Sequence, residues 1–60
     1  MDKKTAMTEN DLRLIEEANK ISRWHYRDVR PLIAKADTYE AKERLWWIMC
    51  ELKDLRDESL

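Results

Sequence analysis

The sequence predicts an all-α protein: a small helical hairpin or three-helix bundle with one long C-terminal helix, expected to be oligomeric. Three observations predict it. The chain has no glycine and one proline, Pro31, in 60 residues, whereas all-β architectures need turn residues at short intervals. Leucine, isoleucine and alanine recur three and four residues apart, the period of a helix with one buried face. Finally, 42% of the residues are charged, yet 12 basic and 13 acidic side chains nearly cancel. Disordered chains combine high net charge with few large apolar groups, so this balance favours a folded chain.

The first helix is expected over residues 9–22. Thr8 is its N-cap, with a hydroxyl placed to accept the Asp11 amide, and Met7 and Leu12 stand at the positions of a hydrophobic staple. Glu9 and Asp11 suit the positive end of the helix dipole. Leu14, Ala18 and Ile21 then form the stripe, with Leu12 and Ile15 alongside. Residues 1–6 are polar and read as a tail on a single domain that spans 1–60.

Pro31 governs the second element. It lacks an amide hydrogen and clashes with the preceding turn inside a helix, so it belongs in a first turn, where amides have no intrahelical partner. Asp28 as N-cap gives a short helix over 29–36 that buries Val29, Leu32, Ile33 and Ala36, with 23–27 as the connection. The third helix starts at Asp37, which has capping-box spacing to Glu40, and runs to about residue 57. Its main stripe is Ala41, Leu45, Ile48, Leu52 and Leu55, spaced as a heptad seam.

A chain of this size buries only ~60% of the surface it exposes when unfolded. Cys50 is the only cysteine and His25 the only histidine, which excludes an internal disulfide and a Cys/His zinc cage. Self-association or a partner protein is the remaining source of stability. The longest apolar run, residues 45–50, is far below the ~20 residues of a membrane span, and Met1-Asp2-Lys3-Lys4 leads into no apolar signal core. No membrane partner and a cytoplasmic location are therefore expected.

Two features could carry function. With Leu45 set at zero on the helical wheel, the main stripe of the third helix spans roughly −80° to 0° at ~100° per residue. Tyr39, Trp46 and Cys50 fall near +100° to +140°, and Trp47 near 200°. A helix with a second apolar face must cover it, and Trp and Tyr are enriched at interface centres. Tyr39, Trp46, Trp47 and Cys50 are the candidate partner-binding residues, with Trp47 the candidate exposed anchor. The competing reading packs Trp46 under the 23–27 connection of the same chain.

The second feature is local charge. Lys20, Arg23, Arg27, Arg30 and Lys35 face one acid, Asp28, with Trp24, His25 and Tyr26 among them. Guanidinium forks beside aromatic faces serve phosphate and base recognition, so Arg23, His25, Arg27 and Arg30 are a candidate anion site for a nucleotide or nucleic acid. The competing reading is a solvated face whose Arg and Lys stems cover apolar surface, and a net charge of −1 argues against broad nucleic-acid binding. No nucleophile–base pair, paired carboxylates in context or phosphate loop is present. No enzyme activity, cofactor, catalytic residue or metal ligand is expected.

Residues Leu14–Asn19 (Leu-Ile-Glu-Glu-Ala-Asn) and Ala36–Leu45 (Ala-Asp-Thr-Tyr-Glu-Ala-Lys-Glu-Arg-Leu) resemble a group of short helical proteins carried by phages and mobile elements of gut bacteria. The resemblance covers about half the chain, and the Trp24–Tyr26 and Trp46–Trp47 segments depart from it. It implies a compact helical protein and brings no established activity. Small helical proteins of such elements often block host defence. The Trp46/Trp47 surface would suit capping a defence protein, and the basic 20–35 segment would suit sequestering a nucleotide signal.

The leading expectation is a helical interaction module that self-associates or docks on a partner protein. The alternative is an anion- or nucleotide-binding module using residues 20–35. A third is a subunit that folds poorly outside its assembly.

Overall fold

A computed structural model describes residues 7–60, so the expected tail over 1–6 lies outside the described residues. The chain forms α1 (Glu9–Asn19), a 3₁₀ segment (Arg23–Asp28), α2 (Val29–Lys35) and α3 (Tyr39–Ser59), with no strand among the described residues. The all-α class and the long C-terminal helix are as the periodicity predicts.

The caps explain where these helices start. Thr8 is extended, its hydroxyl accepts the Asp11 amide at 3.1 Å, and the Asp11 carboxylate accepts the Thr8 amide at 3.3 Å. This reciprocal pair is a capping box. The helix ends at Asn19, three residues short of the expected boundary. Ser22 turns extended there and its side chain accepts the Trp24 amide at 3.1 Å, which opens the next element.

Residues 23–28 are therefore a pair of tight turns rather than an irregular connection, broken where His25 leaves helical geometry (φ −118°, ψ 30°). The segment runs straight into α2. Asp28 consequently has helical dihedrals and makes no side-chain cap bond, contrary to expectation, and Pro31 at the N3 position has no amide hydrogen to offer it. Pro31 sits in the first turn of α2, as its chemistry requires.

The third cap is one residue later than expected. Thr38, not Asp37, caps α3 by accepting the Ala41 amide at 3.2 Å. Asp37 is occupied elsewhere: its amide donates to Asp11 and its carboxylate accepts from the Thr8 hydroxyl at 2.7 Å. With no glycine to supply left-handed caps, no described residue takes a positive φ. The links close instead through extended Ser22, Ala36 and Thr38.

The core lies where α1 and α2 cross the N-terminal half of α3. Leu14 and Ala18 of α1, Val29 and Leu32 of α2, and Ala36 bury against Ala41 and Leu45. Three of these seven are alanines, which let the helix axes approach closely but supply little apolar area each. Met7, Ile15, Ile21, Ile33, Ile48, Met49 and Leu52 form a half-buried rim.

Two expected core positions are left exposed, and Ile33, expected to be buried, is half-buried at the rim. Leu12 is 53% exposed and Leu55 is 47% exposed. Leu12 lies outside the Leu14–Ala18 stripe, so Met7 reaches the core without it. Leu55 lies on the main seam of α3, but α3 is 21 residues long against 11 for α1 and 7 for α2. At about 1.5 Å per residue, its last turns outrun the helices that cover its start.

Candidate functional site

Two groups of side chains stand apart from the ordinary core: a buried polar node at the start of α3, and the outer face of the same helix.

The node is built on Asp11, whose side chain is fully buried. One carboxylate oxygen accepts the Asp37 amide at 2.6 Å, and the other accepts the Thr38 hydroxyl at 2.7 Å and the Thr8 amide. Asn10 extends the node by donating to the Lys35 carbonyl at 3.2 Å, which satisfies the end of α2. Burial pushes the Asp11 pKa up, but the hydrogen bonds from Asp37, Thr38 and Thr8 outweigh it. They hold the pKa below the ordinary value of 3.8. The N-terminal ends of α1 and α3 thus meet on one carboxylate, which both helix dipoles favour. Each of these donors is engaged within the chain, so the node is architectural. Sequence reasoning finds Asp11 only as a dipole residue of α1; its partners 26 and 27 residues away leave no local signal.

The outer face carries the aromatic residues. Tyr39 is 78% exposed, Trp46 53% and Trp47 62%, and Cys50 is half-buried. Trp46 is therefore not enclosed beneath the 23–28 segment. That segment sits further along α3, where Tyr26 packs its ring 5.1 Å from the Arg56 guanidinium. Trp46 and Trp47 together border an open groove of about 410 Å³ with Tyr39, Lys42, Glu43 and Ile33 of α2. Trp47 also borders two further open depressions, beside Met7 and Glu40 and beside Asn19 and Ile48. It separates the α1 side of α3 from the outer side, so it flanks the exposed face rather than lying at its centre.

Three charged residues complete that face. Glu43, Lys53 and Asp57 stand with Tyr39, Trp46 and Cys50 at gaps of four, three, four, three and four residues. All six fall within roughly 80° to 160° on the helical wheel, nearly opposite the covered seam. Lys53 pairs with Asp57 at 3.3 Å and Arg56 pairs with Asp57 at 2.8 Å. Hydrogen bonds from Arg56 and then Lys53 lower the Asp57 pKa. The spacing of the charged members was the available signal, hidden because none of them is apolar.

The candidate anion residues are placed differently. Arg23 lies 5.5 Å from the Trp24 ring, and Arg27 lies 5.9 Å from the Tyr26 ring. The Arg27 side chain, followed by the charges of Arg56 and Lys53, holds the Tyr26 phenol below its ordinary value against the opposing effect of burial. Arg23, His25, Arg27 and Arg30 are all exposed. Two of the three guanidiniums rest on neighbouring rings of the same segment, which gives them a structural use.

Among the described residues, no group of three or more His, Cys, Asp or Glu is placed to hold a metal ion. No helix among the described residues is long and apolar enough to cross a membrane. Comparison with protein-family models, curated proteins and solved structures finds no match.

Proposed function

We propose that this protein is a helical interaction module that docks another protein chain on the outer face of α3. The observation that carries this reading is the exposure of Tyr39, Trp46 and Trp47 on the longest helix of a domain whose own core is small. Large aromatic side chains with two χ angles lose little conformational freedom on docking. They also dominate the binding energy of protein interfaces. A flat helical face bordered by open grooves fits a helix or another extended surface better than an enclosed small molecule. Capping of a host defence protein is one biological setting for such a face.

The test is site-specific photo-crosslinking in the cells that make the protein. A photoreactive residue replacing Trp46 should give a discrete adduct that Trp47→Ala weakens, while the same residue replacing Glu17 on α1 should give none. Equal labelling at both positions overturns the reading.

The exposed Trp24 beside Arg23 is the observation that favours the second reading, an anion-binding module on residues 20–35. A thermal shift with nucleotides that weakens steeply with salt and disappears in Arg23→Ala would support it.

A further inference from the structure

We infer that the occupant of this face is a second copy of the chain, paired antiparallel along α3 about a two-fold axis at Ile48. This inference rests on the docking reading above. It comes from the order of residues on the outer seam: Tyr39, Glu43, Trp46, Cys50, Lys53 and Asp57.

In an antiparallel helix pair, positions facing each other have a constant sum. With the axis at residue 48, the seam pairs with itself in three kinds of layer. Trp46 faces Cys50 of the second copy, Glu43 faces Lys53, and Tyr39 faces Asp57, each occurring twice by symmetry. The centre is apolar, the next layers join opposite charges, and the outer layers set a phenol against a carboxylate. Opposite charges within a seam fix partner and orientation.

A parallel pairing of the same seam sets each residue against its own copy, so Glu43 meets Glu43, Lys53 meets Lys53 and Asp57 meets Asp57. The charge order therefore selects the antiparallel arrangement. Glu43 is exposed, the Lys53 side chain is 52% exposed and that of Asp57 is 44%, while Cys50 at the centre of the seam is half-buried. The buried core lies on the other side of α3, with Ile33 of α2 bordering the groove beside Trp46. The symmetry also brings the two Trp47 rings to one edge near the axis and the two Met49 side chains to the other.

The flanks limit the strength of the pair. Glu40 approaches Asp54 of the second copy, and Lys42 approaches Arg56, so like charges meet at the solvated rim. A weak, reversible dimer at the small end of the interface range is expected.

Sedimentation from about 10 µM to about 1 mM covers the affinity range of such a pair. The unaltered protein should dimerise within it. Glu43→Lys and Lys53→Glu should each weaken association at least about tenfold, because each sets two like pairs across the axis. The double exchange should restore it, since the layers again join opposite charges. All four positions per dimer are exposed, and circular dichroism checks that the fold is retained. Under oxidation, Trp46→Cys should give a covalent dimer bridged between residue 46 and Cys50 of the second copy. The unaltered Cys50 should not, because the two Cys50 Cα atoms then lie beyond the ~7 Å reach of a disulfide.

A monomer throughout the range, a dimer not rescued by the double exchange, or ready Cys50–Cys50 bridging overturns the antiparallel pair. The photo-adduct at position 46 separates this from failure of the docking reading. An adduct of another mass that depends on Trp47 keeps the docking face and rejects the second copy. Labelling no stronger than at Glu17 rejects both.

Discussion

The two halves of α3 are built on opposite terms. Its N-terminal half is held from three sides: Thr38 caps it, Asp11 gathers the link before it, and Ala41 and Leu45 are fully enclosed by α1 and α2. Its C-terminal half carries surface ion pairs between Lys53, Arg56 and Asp57, and the ring of Tyr26 is the aromatic contact from elsewhere in the chain. Leu55 stays half exposed there. The first half buries its inner stripe in the fold and keeps its aromatic face open, whereas on the second half the inner side thins to the half-buried Met49 and Leu52. A helix longer than its neighbours divides its labour in this way, because packing can extend only as far as the shorter helices reach.

Substitutions should sharpen this contrast, and the largest effect belongs to the node. Asp11→Asn keeps the shape but presents an amide donor to the Thr38 hydroxyl and the Asp37 and Thr8 amides. Losing a buried charged acceptor should lower the melting temperature by roughly 10–20 °C. The same carboxylate sets a pH dependence. Its folded pKa lies below 3.8, so its contribution is fully present above about pH 4 and is lost as pH falls through the folded value. In Asp11→Asn, acid should bring a smaller loss of stability below pH 4 than in the unaltered chain. An identical slope for both would remove the node from the account.

Next comes the enclosed apolar contact. Leu45→Ala should destabilise by about 3 kcal/mol, measured by urea unfolding, while Leu55→Ala, the same change on the uncovered half, should cost less than about 1 kcal/mol. Equal costs would contradict the division of α3. The cap is third: Thr38→Ala removes both the Ala41 acceptor and a donor to Asp11, and should cost about 1–2 kcal/mol. Smallest for the fold is Trp46→Ala. It should leave the dilute melting temperature nearly unchanged but weaken concentration-dependent association. A dilute protein unfolded by that change would show the ring to be core.

Much of this was legible locally. Thr8 and Pro31 marked helix starts by what their own side chain or ring allows, and Leu14, Ala18, Ala41 and Leu45 marked buried faces by spacing. Boundaries were less legible where two local signals compete. Asp28 and Asp37 both read as caps, but Asp28 lies inside a helical run and Asp37 is drawn to α1, leaving the role to Thr38. The aromatic face was legible through Tyr39, Trp46 and Cys50. Its charged members were not, since a search for apolar spacing passes over Glu43, Lys53 and Asp57.

By itself the sequence determined the all-α class, the helical order and the existence of a second face on α3. These follow from short-range rules: hydrogen bonds to the next turn, side-chain period and the absence of turn residues. Only the tertiary structure decided that Asp11 would join two helix ends and that Leu12 and Leu55 would stay exposed. It also decided which face of α3 would be left uncovered. Each of those depends on where a distant segment comes to lie, and a residue's own neighbours in the chain carry no record of that.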